Sequence, residues 1–526
     1  MNEKSAWAPF SHKAFRALWC AGAVVNLAIW MQTVGAAWVM TTLSPSPLMV
    51  SLVQTAMALP VFLFGLPGGV IADLVDRRHW LLFTQSLMLG AAVLLCLLSY
   101  SGLLQDWSLL LLTFMLGTGS ALNMSAWMVT TVAVLPREQV PAAVSLSAIS
   151  TNVARALGPA LAGFLIAYSS SGSVFLVIAL CFSGVLVFVF CWKPRQQPAG
   201  LPPETFFGGM RSGLRYIRHS SVLFDALKQV FVFTSCAGAL WALLPLVAKG
   251  LGMGAGGYGL LMGCLGAGAV LAAVNLTALY GRFTLRQLII AGVIAFTLAT
   301  LAASQLHSRI LVCAMLVLAG MAWMAVNATV STVVQTCAAD WVRARVASVY
   351  LLMYMGAMAI GGILWGAVAE WLGVGQCLLL SAVTIMLGLF VTRRADLELG
   401  QEADFATAQQ TDKLMLADDI AHSDGPVCVE ISYRVKAAEL DDFLRIVYPV
   451  GRSRRRNGAQ NWRLYRDLAA ADHFIERFIV ESWLDYLRQR ERVTQGDKMR
   501  EQGLVCFLDQ QQTIRRYIYQ GPADRF

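Results

Sequence analysis

From Met1 to about Arg394 the chain alternates long apolar blocks with short polar turns. A helix that crosses a bilayer needs about 20 mostly apolar residues. Runs of that kind lie near 15–41, 48–74, 80–101, 107–134, 139–167 and 173–192, then near 222–248, 256–280, 287–306, 310–335, 345–371 and 374–392. The pattern predicts an all-α polytopic membrane domain over 1–394 with twelve transmembrane helices in two six-helix halves: an N-half at 1–193, a polar loop at 194–221 and a C-half at 222–394. Beyond it the periodicity changes. Residues 395–425 carry Asp396, Glu398, Glu402, Asp404, Asp412, Asp418, Asp419 and Asp424 against one Lys413, which reads as a solvated acidic linker. In 426–526, VCVEISYRV alternates like a strand, ELDDFLRIV has helical spacing, and NWRLYRD and HFIERFIVES alternate again. WLDYLRQRERV returns to a helix, and RRYIYQ reads as a last strand. That order, β-α-β-β-α-β, predicts a C-terminal α+β domain of ferredoxin-like type.

Charge adds orientation. The chain is 57% hydrophobic and 13% charged, against about a quarter charged in soluble proteins. The net charge of +9 comes from the membrane domain, which holds 21 Lys and Arg against 9 Asp and Glu. Basic residues of the short loops (Arg77, Arg78, Arg137, Arg211, Arg215, Arg218, Arg282, Arg286, Arg343, Arg345) fall on one side of the predicted topology, and Lys249 and Arg309 on the other. The positive-inside rule then places both termini and the middle loop in the cytoplasm. A bilayer partner explains the basic balance, so nucleic acid is not expected. The eleven cysteines are scattered without a CxxC pair and read as small buried apolar residues. No cleavable signal peptide is expected, because no small-residue cleavage site closely follows the first apolar run.

The halves echo each other. TVAVLPREQVPAAVSL (131–146) has the layout of TVVQTCAADWVRARVASV (332–349), and Gly158, Pro159 and Gly163 precede Gly361, Gly362 and Gly366 by 203 residues. A duplicated six-helix unit puts a substrate site between the halves, near the bilayer midplane. Within span 5, Pro159 removes a backbone hydrogen bond and predicts a kink, while Gly158 and Gly163 permit close helix contact. Arg155 lies about halfway along the same span, where a charge is costly and usually functional. It suits an anionic or catecholate-like substrate; the structural alternative bonds it to Asn152 and to carbonyls freed by Pro159. No Asp, Glu or His falls near the middle of a span: Asp73 and Asp225 sit near cytoplasmic ends, and Asp106, His307 and Glu370 near the outer face.

GGVIADLVDRR (68–78) resembles the loop 2–3 signature of the major facilitator superfamily: Gly69, Asp73, Arg77 and Arg78 match, and Leu74 and Asp76 depart. ALNMSAWMVTTVAVLPREQV and NVARALGPALAG make the chain most similar to the exporter branch that includes the enterobactin exporter and the transmembrane secretion effectors. The resemblance implies an alternating-access carrier in which Asp73 meets the N-terminus of span 11, beside Arg343 and Arg345, as a gating latch. Arg77 and Arg78 hold the loop in the cytoplasm and can pair with Asp73 or Asp76. It also implies that spans 1, 4, 7 and 10 line the path, so Asn26, Trp30, Gln32, Asn123, Trp127, Trp241, Trp323 and Asn327 join Asn152 and Arg155 as candidate substrate-binding residues. Drug exporters of the superfamily carry a Gly-Pro-x-x-Gly-Gly signature in span 5; Ala162 replaces one of its glycines here. Thr113 stands near the place where many drug–proton antiporters carry an arginine, so proton coupling rests on resemblance alone.

The C-terminal domain resembles antibiotic-biosynthesis-monooxygenase-type dimeric barrels through GRSRRRNGAQNWRLYRD and ESWLDYLRQRERVT. Its strands are expected to leave Trp462, Phe474 and Phe478 on an open sheet face, which a second copy of the domain would cover. Arg452, Arg454, Arg455 and Arg456 read as a solvated basic face, with binding of an anion or anionic lipid as the alternative. Tyr486 and Arg490 stand where relatives often carry histidines, His473 is the domain's only histidine, and no metal site, cofactor site or nucleophile–base arrangement is legible. The reading is a secondary transporter rather than an enzyme: an exporter of a siderophore-like, drug-like or other small amphipathic or anionic metabolite, coupled to protons. The alternatives are a bifunctional transporter whose C-terminal domain is a cofactor-free monooxygenase, and an importer of organic anions.

Overall fold

A computed structural model describes residues 7–192, 206–339, 341–392, 420–421, 423–508 and 514–519. The acidic linker from 395 to 419 and the side chain of Asp73 lie outside the described residues.

Twelve helices among the described residues are long and apolar enough to cross a membrane. They are α1 (Lys13–Leu43), α2 (Pro47–Leu74), α3 (Arg77–Tyr100), α4 (Asp106–Ala133), α5 (Val140–Tyr168) and α6 (Ser171–Cys191), then α8 (Ser221–Gly250), α9 (Ala255–Tyr280), α10 (Leu285–Gln305), α11 (Arg309–Thr336), α12 (Arg343–Leu372) and α13 (Val374–Thr392). Each expected apolar run is one helix, because backbone polar groups inside a bilayer must be satisfied within their own segment. Local chemistry sets the ends. Pro47 opens α2 behind Ser46, whose hydroxyl accepts from the Met49 amide. Thr284 and Gln287 close a capping box on α10. The expected polar loop holds one further helix, α7 (Phe206–Arg218), with Arg215 and Arg218 in its last turn.

The turns that carry Arg77 and Arg78, Arg282 and Arg286, and Arg343 and Arg345 mark one end of the bundle, called here the basic end; α1–α2, α8–α9 and α12–α13 turn at the far end. By backbone proximity the chain divides into two compact units. The first comprises Met1–Leu201, Lys228–Val330 and Leu351–Arg394. The second comprises Pro202–Leu227, Ser331–Tyr350 and Ala395–Phe526, so it takes in α7 and the basic ends of α8, α11 and α12 along with the C-terminal domain.

The C-terminal domain contains β1 (Val427–Arg434), α14 (Leu440–Asn457), β2 (Gln460–Arg466), β3 (His473–Val480), α15 (Trp483–Glu491), α16 (Gln495–Gln502) and β4 (Ile514–Ile518). The strands form one sheet in the order β2-β3-β1-β4 with antiparallel neighbours; Val427 faces Val480 on one side and Ile518 on the other. A register shift between Gln460 and Arg463 coincides with Asn461 at φ 49°. Strand alternation turns Val427, Val429, Ile431 and Tyr433 to one face, where Phe443, Val447 and Val450 of α14 cover them. Trp462, Phe474 and Phe478 belong to this covered core, which corrects their expected place on the open face. The opposite, less covered face carries Cys428, Glu430, Ser432, Ile475, Arg477 and Ile479. Helix α16, whose sequence is mostly polar, had no counterpart in the apolar pattern.

Candidate functional site between the two halves

The halves of the first unit meet along small residues. On α5 and α9, a Cβ added at Gly163 would lie 2.9 Å from the Gly259 Cα, and one added at Gly259 would lie 2.8 Å from the Pro159 carbonyl oxygen. On α2 and α12, Ser51 and Thr55 fill the space beside Gly366 and Gly362, and the Thr55 hydroxyl donates to the Ala359 carbonyl at 3.0 Å. On α1 and α9, the rings of Trp38 and Tyr258 stack 6.1 Å apart. All of these positions lie between the helix midpoints and the far end, so the far end of the bundle is closed.

Arg155 sits at the midpoint edge of this seam. Pro159 lacks the N–H that would bond the Arg155 carbonyl, and that carbonyl faces Gly266 of α9. The side chain leaves toward α1, with the guanidinium 5.2 Å from the centre of the Trp30 ring. Its Nε is buried and meets no hydrogen-bonding partner among the described residues, and no ion pair of Arg155 is found among them. The Tyr354 hydroxyl of α12, which the sequence reading passed over, lies within electrostatic reach of it. Tyr354 also leans on Trp323, 6.2 Å between ring centres, and Trp323 packs against Trp241 at 5.3 Å, Phe233 at 5.6 Å and Phe296 at 5.8 Å. Trp30 and Arg155 from the N-half thus converge on Tyr354 and, behind it, Trp323 from the C-half.

A cation over an indole returns at most about 2 kcal/mol when desolvated. An arginine at mid-membrane costs about 3 kcal/mol even on insertion scales. Trp30 therefore offsets part of such a cost for the half-buried Arg155, and an anion placed there would add to it.

Other candidate residues are held locally. Asn26 donates to Thr151 Oγ1 at 3.3 Å and Gln32 to Thr113 Oγ1 at 3.5 Å. Asn123 accepts from Thr84 and Gln85 of α3 inside the N-half. Asn152 donates to the Ala148 carbonyl of its own helix, and Asn327 to that of Trp323. The Trp127 indole nitrogen fills the space beside Gly22, and Trp241 Nε1 is buried without a partner among the described residues. Gly158 admits the Trp30 side chain.

In the loop 2–3 stretch, Gly69 lies against Ser125 of α4. Of the two carboxylates open to the neighbouring arginines, Asp76 is found among the described residues with another partner: its carboxylate caps α3, accepting from the His79 amide at 3.0 Å, and contacts the His79 ring at 2.9 Å. Arg77 opens α3. Arg78 reaches instead the carbonyls of Val189 and Phe190 at the end of α6. Arg343 opens α12, and Arg345 donates to Ser212 of α7 at 2.9 Å.

The second unit is knitted around α7. The Tyr216 hydroxyl accepts from the Ala339 amide at 3.4 Å, and its ring meets Trp341 edge-on. From the C-terminal domain, Arg456 lies over Tyr216 at 5.1 Å, Arg492 over Trp341 at 4.2 Å, and Glu481 pairs with Arg211 at 2.9 Å. The expected solvated basic face needs correction, because two of its arginines are neutralised inside the domain. Arg454 binds Glu476 at 2.7 Å and Glu501 at 3.1 Å, and Arg456 binds Asp497 at 2.5 Å. Arg455 lies over Trp462. The fully buried Glu476 also accepts from Tyr433 and Trp462, both at 2.7 Å. No group of His, Cys, Asp or Glu that could hold a metal is found among the described residues.

A family profile described as transmembrane secretion effector matches residues 4–520. YfiS of Bacillus subtilis (strain 168), an uncharacterized MFS-type transporter, is 28% identical over 366 residues, covering 66% of this chain and 84% of its own. MdtD of Escherichia coli O1:K1 / APEC, provisionally named a multidrug resistance protein, is 33% identical over 136 residues, only 26% of this chain and 28% of its own. Among solved structures, a bacterial homologue of the human lysosomal transporter Spinster, in an inward-facing and unoccupied conformation, superposes with a TM-score of 0.59 at 14% identity, over 73% of this chain and 96% of that one. An auto-inhibited POT family peptide transporter gives 0.61 at 11% identity, over 74% and 98%. At such identities these two carry the fold alone.

Proposed function

The chain belongs to the transmembrane secretion effector family of the major facilitator superfamily, and from that premise we propose that it is an efflux permease. It exports a small anionic or amphipathic metabolite by alternating access across a bacterial inner membrane, with both termini in the cytoplasm. The observation that carries the substrate side is Arg155, half-buried over Trp30 with a buried Nε that is unpartnered among the described residues. With the far end closed, a ligand would reach this site from the basic, cytoplasmic end, which is the loading state of an exporter. The provisional multidrug name of the relative MdtD favours efflux over uptake. Coupling to protons, a siderophore-like cargo and a latch between Asp73 and the start of α12 extend the same reading. The C-terminal domain is read as ferredoxin-like, supported by the strand order β2-β3-β1-β4. It serves as a regulatory module, and pairing with a second copy would use the less covered face around Ile475 and Ile479.

The test uses everted vesicles and a matched pair of probes, 2,3-dihydroxybenzoate and its neutral amide. Arg155→Gln should raise KM for the carboxylate about tenfold, a loss of about 1.4 kcal/mol, and change that for the amide less than threefold. Arg155→Lys should restore only part, since an ammonium is a point charge and not a fork of donors. Equal losses for both probes would make Arg155 a structural residue. Uptake by right-side-out vesicles with no efflux would favour the organic-anion importer.

A further inference from the structure

We propose that Lys249 and Glu370 form the far-end gate of this carrier: two charges of the C-half that grip the α1–α2 turn of the N-half at opposite helix ends. Glu370, in the last turn of α12, accepts from the Ser46 hydroxyl at 2.6 Å and from the Leu48 amide at 3.2 Å. Ser46 is the N-cap of α2 and Leu48 lies in its first turn, where amides have no partner inside the helix and the helix end is partly positive. Lys249, in the last turn of α8, donates to the Thr41 carbonyl at 2.7 Å. Thr41 lies in the last turn of α1, where carbonyls are unpaired and the helix end is partly negative. The signs are sorted: the carboxylate sits at the amide end and the ammonium at the carbonyl end of one short turn, Ser44–Pro45–Ser46.

Neither contact is a buried ion pair, and Glu370 is exposed. Each is therefore weak enough to break in a cycle. Below them the seam is filled by Ser51 and Thr55 against Gly366 and Gly362, so opening the far end must release both charges before the small-residue seam can part. The inference rests on the alternating-access reading and supplies it with a gate at the end opposite to Asp73.

The experiment uses the full chain with exposed Cys20, Cys191 and Cys506 changed to Ser, and spin labels at Ser101→Cys and His307→Cys, one on each half at the far end. Glu370→Gln keeps an acceptor but loses the charge, and Lys249→Met keeps the stem. Each should raise the share of long far-end distances about fivefold, the scale of one charge–dipole contact. Ser46→Ala, which spares both charges, should give a smaller shift of the same sign and guards against a misfolded variant. Wild-type distances in either charge variant overturn the two-charge grip. The distance readout needs no cargo, so a shift in distance without efflux of any probe would keep the gate and refute the export reading.

Discussion

Gly259→Ala tests whether the α5–α9 seam sets the conformational balance. The new methyl would stand 2.8 Å from the Pro159 carbonyl oxygen and 3.0 Å from the Gly163 Cα. Both neighbours are backbone, so no rotamer change relieves the clash; ordinary contact needs about 3.5–4.0 Å. Helices α5 and α9 must therefore part by roughly 0.5–1 Å, and a gap of that size forfeits a quarter to a half of each packed pair's attraction. Overpacking of this kind costs about 1–3 kcal/mol, and the cost falls on the far-end-closed state, in which the helices touch. The opposite state should gain about 5- to 150-fold in population. Gly263→Ala on the same helix is the control, because a Cβ there meets nothing within 4 Å. The assay is the far-end spin-label distance in lipid nanodiscs, with thermal unfolding to confirm that both variants are folded. Identical distance distributions for the two alanine variants would refute the claim that this seam closes the far end.

Two further outcomes concern the second unit. Arg492→Ala removes the cation over Trp341, the shortest guanidinium–ring contact among the described residues, and should loosen α7 by about 1–2 kcal/mol. Hydrogen exchange over Phe206–Arg218 would then quicken severalfold, and unchanged exchange would mean that Arg492 does not hold this helix. Asp497 supplies a pH test: burial alone would raise its pKa, but Arg456 and hydrogen bonds from Ser453, the Thr494 amide and Asn457 hold it below the ordinary carboxylate range. A depressed folded-state pKa gives stability that is present above the unfolded value of about 4 and lost as pH falls through the folded one. The melting temperature of the C-terminal domain should thus drop in acid, and Asp497→Asn should flatten that drop; an equal acid slope in the variant would exclude this carboxylate as its source.

The sequence by itself determined the twelve helices and most elements of the C-terminal domain. Those features follow from rules that act within one segment: an apolar run must satisfy its own backbone in a bilayer, and strand alternation has a period of two. Arg155 was legible for the same reason, as a charge inside an apolar run. Helix α7 was not, because FFGGMRSGLRYIR is short and half polar and becomes a helix in the company of Trp341 and Arg456, which lie far along the chain. Alternation showed that Trp462, Phe474 and Phe478 share a character, but only the packing of α14 decided which face of the sheet is covered. Arg454 and Arg456 looked solvated until folding brought Glu476 and Asp497 to them from 22 and 41 residues away. Asp76 chose the α3 amides over Arg77 and Arg78, since a helix N-terminus offers a fixed donor and Arg78 had carbonyls on α6 to reach. Whether a charge is paired, and which end of a bundle is shut, depends on residues distant in sequence meeting in space, and one chain read alone carries no local signature of those meetings.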